Sequence, residues 1–222
     1  MAQCFDGLYL DQHEEAERRI AQLFQQLTRT EQRAVAEAIL RVVTSNSDHT
    51  TQLVGCALHE AADRLHPTLI TIEDIEALDG APQAPGNSPR GSAAVLLWQW
   101  AESNPGRVPV PLLCKLAQPS RQDWYVHSPA RAGAQQLLLT RPAARAIYDV
   151  MSSSQDREDR HYAVRDLAEV AEIEPRAVPI DLARKLAADG DNSVAARGAE
   201  LLRMLNGITD VDRWDYRHRF AI

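Results

Sequence analysis

Apolar residues recur along this chain at intervals of three and four, the period of an amphipathic helix and not of a strand. Ile20, Leu23, Phe24 and Leu27 fall at i, i+3, i+4 and i+7, which places one stripe on a helix over about residues 12–27. Thr28 or Thr30 stands where the next helix needs a cap, and Val35, Ile39, Val42 and Val43 share a face over 31–43. A third helix over 48–65 is predicted to bury Leu53, Ala57, Ala61 and Leu65, and Thr71 with Asp74 has the spacing that opens a short fourth. The run Gly-Ala-Pro-Gln-Ala-Pro-Gly-Asn then breaks the period, so residues 80–87 read as a linker behind an N-terminal helical region over 1–79.

Beyond the linker the pattern repeats. Asp159-Arg-His-Tyr-Ala-Val-Arg165 and Asp191-Asn-Ser-Val-Ala-Ala-Arg197 each place an Asp six residues before an Arg and lead into a Leu-rich helix. Weaker copies start at Arg90 and near Ser128, where Ala132-Gly-Ala-Gln-Gln-Leu-Leu138 aligns with Arg197-Gly-Ala-Glu-Leu-Leu202. Each copy is followed by a second helix entered through proline: Pro109 and Pro111, Pro142, and Pro175 with Pro179. One helical hairpin cannot bury both of its apolar faces, so copies with the same pattern are expected to stack and share a core, with Ala163, Ala168, Gly198 and Ala199 allowing close approach.

The Asp-to-Arg spacing, the proline-bearing partner helix and the interval in the low thirties resemble HEAT repeats over residues 88–206. The resemblance implies an all-α fold, an α-solenoid of antiparallel helical hairpins. It also implies that Asp159, Arg165, Asp191 and Arg197 form a structural ladder between neighbouring turns. The last residues, 207–222, mix aromatics with both signs of charge and read as a terminal cap or tail.

Charge changes this picture more than composition does. The net charge is −7, but residues 1–87 carry −8, residues 88–155 carry +4 and residues 156–222 carry −3. The acidic balance argues against coating nucleic acid over the whole surface, whereas the basic middle, which also holds Trp98, Trp100, Trp124, Tyr125 and Tyr148, is the stretch suited to an anionic partner. Binding through that middle would weaken with salt. No run of apolar residues reaches the length of a membrane helix, no signal-peptide pattern opens the chain, and Cys4, Cys56 and Cys114 suggest no disulfide framework, so the expected setting is cytoplasmic, away from membranes.

Motifs for chemistry are sparse. The chain has no glycine-rich phosphate loop, no GxSxG and no HExxH, and no cofactor is implied. Cys56, His59, Asp63 and His66 fall within about 80° of one another on the third helix, opposite Leu53, Ala57 and Leu65, and form the weak metal candidate on a face that would otherwise be solvated. The stronger constellation is aromatic and basic: Trp98, Arg121, Trp124, Tyr125 and Arg131. The expected function is a non-catalytic protein–protein interaction module. The alternative comes from a second resemblance, to HEAT-like DNA glycosylases of alkylation repair, in which Asp123 would stabilise positive charge developing on the sugar, aromatics would stack and arginines would hold phosphates.

Overall fold

A computed structural model describes residues 14, 15, 17–45, 48–82 and 89–207; residues 83–87 of the predicted linker and 208–222 of the predicted cap lie outside them. The described residues are all-helical and contain no strand. They fall into two compact units that divide between Leu96 and Leu97.

The first unit holds helical residues 17–24 (α1), Arg29–Ser45 (α2), His49–Leu65 (α3), Ile72–Asp79 (α4) and the opening of Pro89–Ser103 (α5). Thr28 opens α2, its backbone N and Oγ1 donating to Glu31 at 2.8 and 2.7 Å, while Thr71 and Asp74 form the predicted reciprocal cap of α4. Arg33 fastens α2 to α4 by donating to Asp74 at 2.9 Å and to the Leu69 carbonyl at 2.8 Å.

The buried faces of α2 and α3 differ from the predicted ones. Gln32, Ala36 and Val43 are buried in α2 while Val42 is exposed; in α3, Leu65 is exposed and Gln52, Cys56, His59, Glu60 and Asp63 are buried beside Ala57 and Ala61. Internal hydrogen bonding is one reason. Gln32 Nε2 donates to the Phe24 carbonyl at 3.1 Å, and Gln52 Nε2 to Val43 and Pro82 carbonyls at 3.3 and 2.9 Å. A buried amide that closes backbone acceptors costs little, and a hydropathy pattern cannot register it.

The second unit continues α5 and adds Val110–Ala117 (α6), Trp124–Thr140 (α7), Arg145–Ser152 (α8), Arg157–Ile173 (α9), Ile180–Ala187 (α10) and Asn192–Met204 (α11). Long helices alternate with eight-residue ones. Every connection from a long to a short helix contains a 3₁₀ turn begun by proline, at Pro105, Pro142 and Pro175, and Pro119 begins another between α6 and α7. Proline suits these starts because its missing N–H has no partner to lose there.

Packing follows the alternation. The long helices meet in series, α7 on α9 and α9 on α11; the short ones do the same, α6 on α8 and α8 on α10. Two glycines set the closest approaches. A Cβ on Gly133 would lie 3.1 Å from Trp98 Cα, and one on Gly198 would lie 2.8 Å from Ala187 Cα. Gly198 and the buried Ala163 thus sit as expected, whereas Ala199 is exposed.

An aspartate precedes the first residue of each later long helix: Asp123 for α7, Asp156 for α9 and Asp191 for α11. Asp156 accepts from Glu158 N at 2.8 Å and Asp191 from Ser193 N and Val194 N at 2.9 and 3.1 Å. Asp156, and not Asp159, is therefore the counterpart of Asp191, which moves the predicted alignment of these two copies by one helical turn.

Candidate interaction surface

The arginines of the basic middle are turned largely toward the protein itself. Arg90 pairs with Asp79 at 3.0 Å, the Arg107 guanidinium lies 3.7 Å from the Trp100 ring centroid, and Arg141 donates to the Pro105 and Val108 carbonyls at 2.7 and 3.3 Å. Arg145 donates to Asp149 and Asp181, each at 3.1 Å. Arg131, predicted to meet a partner, is 5% exposed. It grips the inaccessible Asp166 through two nitrogens, Nε at 2.8 Å, and covers the Tyr162 ring at 4.0 Å. A guanidinium can satisfy a buried carboxylate and shield an aromatic face at once, and this takes Arg131 off the surface.

These contacts keep a nearly constant interval. Arg131 and Asp166 are 35 residues apart, Arg145 and Asp181 36, Gln135 and Glu169 34, and Arg141 and the Pro105 carbonyl 36. The first and third join α7 to α9, the second joins α8 to α10, and the fourth joins the turn after α7 to the turn after α5. The four residues expected to form the ladder are placed differently. Asp159, which is buried, accepts from Ser120 N, Ser120 Oγ and Ser154 Oγ at 3.1, 2.7 and 2.6 Å, and Arg165 pairs with Glu169 at 3.2 Å. Asp191 pairs with Arg157 at 2.9 Å, and Arg197 is exposed with no ion pair to a described residue. Aspartates do bridge neighbouring elements, but in the second unit the arginines that meet them are Arg131, Arg145, Arg157 and Arg160.

Cys56, His59, Asp63 and His66 do not gather around a point. The first three are buried instead of lying on a solvated face, the His66 ring sits 5.3 Å from that of Phe24, and no group of three potential metal ligands occurs among the described residues. Burial pushes the Cys56 thiol up to about 12 and the His59 imidazole down to about 4, so both stay uncharged near neutral pH, and neither ring nitrogen of His59 has a hydrogen-bond partner among the described residues. Burial raises the neighbouring Glu60 carboxyl to about 7.

The first unit carries an apolar groove of about 520 Å³ between α2 and α3, lined by Ile39, Val42, Val54 and Leu58, and the second unit carries more polar clefts at its connections. A cleft of about 940 Å³ lies between the α6–α7 turn, with Gln118, Ser120 and Arg121, and the α8–α9 turn, with Ser153, Ser154 and Asp156. Asp159 holds the two walls together through its bonds to Ser120 and Ser154. Arg121 is exposed, and its side chain makes no hydrogen bond or ion pair with a described residue. Three residues on, Trp124 begins α7 with 74% of its surface exposed, touched edge-on by Tyr125 at 6.1 Å between centroids. Trp98 is half-buried, its backbone against Gly133 of α7.

A second cleft, of about 470 Å³, also begins at Asp156 and follows α9 past His161 and Tyr162 to Arg165. The His127 and His161 rings flank Tyr162 at 5.6 and 6.0 Å, and burial followed by nearby guanidiniums, Arg131 and Arg165 for the first and Arg197, Arg157 and Arg165 for the second, holds both imidazoles below their ordinary range. Asp123 is exposed, accepts the Tyr125 hydroxyl at 2.9 Å and lines neither cleft.

The surface therefore brings Arg121 and Trp124 to one place, leaves Trp98 apart and withdraws Arg131. Gln118, Ser120, Ser153 and Ser154 carry no motif in the sequence. No protein-family model matches the chain, and neither does any curated protein or solved structure.

Proposed function

We propose that this chain is a non-catalytic protein–protein interaction module, an adaptor, scaffold or inhibitor, built as a short α-solenoid of helical hairpins resembling HEAT repeats. The repeat reading is supported by the alternation of long and short helices and by cross-links spaced 34 to 36 residues apart. The observation that carries the functional reading is Trp124. Its large ring is 74% exposed on the first turn of a 17-residue helix, whose backbone fixes where it emerges. Aromatics presented to a partner concentrate the binding energy of protein interfaces.

The reading is tested by capture from the native host's lysate, with and without nuclease, comparing wild type with Trp124→Ala. The expected result is a stoichiometric protein partner that survives nuclease and falls about tenfold or more in the variant, whose thermal unfolding is unchanged. Recovery of nucleic acid that disappears with nuclease would overturn the reading in favour of the glycosylase-like alternative.

A further inference from the structure

Resting on that reading, we infer that the cleft between the α6–α7 and α8–α9 turns holds an extended acidic peptide segment of the partner, with Arg121 taking a side-chain carboxylate and the cleft serines accepting backbone N–H groups.

The inference follows from which hydrogen-bonding groups of the cleft are already engaged. Its own carboxylates are occupied: Asp149 receives Arg145 at 3.1 Å, and Asp156 caps α9 through Glu158 N at 2.8 Å. Arg121 is left as an uncommitted cation at the cleft, while Arg131, Arg141 and Arg145 are engaged internally. The serine protons point into the protein, from Ser120 and Ser154 to Asp159 at 2.7 and 2.6 Å and from Ser153 to the Asp149 carbonyl, while Ser154 Oγ accepts from Asp156 N at 3.2 Å and Ser153 Oγ from Lys185 Nζ at 2.5 Å. A hydroxyl whose proton is used offers only lone pairs, so Ser120 presents an acceptor to the cleft and Ser153 and Ser154 keep one remaining lone pair each.

Gln118 adds a second kind of group. Its side chain lines the cleft with 7% of the residue exposed, and among the described residues its amide nitrogen meets the Cys114 sulfur alone, at 4.0 Å, the outer limit for such a contact. A buried amide of this kind lacks a good partner and gains one from a ligand's carbonyl. The complement is a chain with N–H donors, C=O acceptors and one negative charge. A polypeptide has all three. A nucleic-acid strand repeats the charge at every step and has no backbone N–H, so a single free cation beside a row of acceptors matches it poorly. The volume of about 940 Å³ lies in the range of built ligand sites.

The test uses the full chain against a displayed library of random heptapeptides, with a fluorescent single-stranded 12-mer oligonucleotide as the competing probe. Selection on wild type is expected to enrich peptides with Asp or Glu at one fixed position. Replacing that residue by Asn or Gln, or Arg121 by Ala, should each weaken binding about tenfold, and bound peptide should slow alkylation of Cys114 beneath the cleft. Enrichment that depends on Trp124 but not on Arg121 would sink the cleft assignment and leave the interaction-module reading standing. Dependence on neither, absence of any enriched peptide, or tighter binding of the oligonucleotide would overturn the inference.

Discussion

Arg131 and Asp166 share a bidentate contact from which water is excluded, and removing one partner strands the other. Asp166→Ala is expected to cost about 3–5 kcal/mol, whereas the double replacement Arg131→Met with Asp166→Leu should stay within a few kcal/mol of wild type or exceed it. Urea unfolding of the three proteins checks this; equal losses in the single and double variants would show that the pair is not the unit that matters. In the first unit, Glu60 has its carboxyl raised from 4.5 to about 7 by burial, so the folded state holds a proton that the unfolded state releases between those values. Its contribution is fully present below pH 4.5 and is lost as pH rises through 7. Glu60→Gln should therefore gain on wild type in thermal midpoint from pH 5 to pH 8, and parallel profiles would contradict the burial argument. Neither residue was legible as buried from the sequence. Asp166 sits in an acidic run and Glu60 in a polar stripe, and only the tertiary partners make their burial tolerable.

The helices themselves were legible because their period is local. Thr28, Thr71, Asp156 and Asp191 carry capping oxygens, and prolines begin the turns, so these boundaries are set by residues within a few positions of the helix ends. Register between helices was less legible. Asp159 and Asp191 look alike in sequence, but the first is an acceptor for Ser120 and Ser154 across a turn while the second is a helix cap. Glycines discriminate at this scale as well. Gly198→Ala would push a Cβ to 2.5 Å from the Leu186 carbonyl carbon and separate α11 from α10, costing about 1–3 kcal/mol, while Gly190→Ala meets nothing within 4 Å and should be neutral. Chemical unfolding midpoints for the two variants should differ accordingly, and similar values would mean that α10 and α11 do not pack through this contact.

Charge segregation along the chain is explained in part at the level of the second unit. Arg131 and Arg145 of the basic stretch meet aspartates of the acidic one that follows, Asp166 and Asp181. The +4 of residues 88–155 is therefore no measure of an anion-binding face, and Arg121 is the cation it contributes to the cleft. The aromatic half of the candidate surface was legible, since a Trp-Tyr pair between apolar runs has no stripe to join. The cleft was not, because it is made by two turns whose residues meet only when the helices stack. The most direct test of the account places a photo-crosslinking amino acid at the exposed Ser128, one turn along α7 from Trp124, and, separately, at Ile173, which is 70% exposed at the end of α9. After irradiation in host lysate, one protein should be joined through position 128 and not through 173. Equal crosslinking from both positions, or crosslinks to nucleic acid alone, would contradict the claim that this surface is a protein interface.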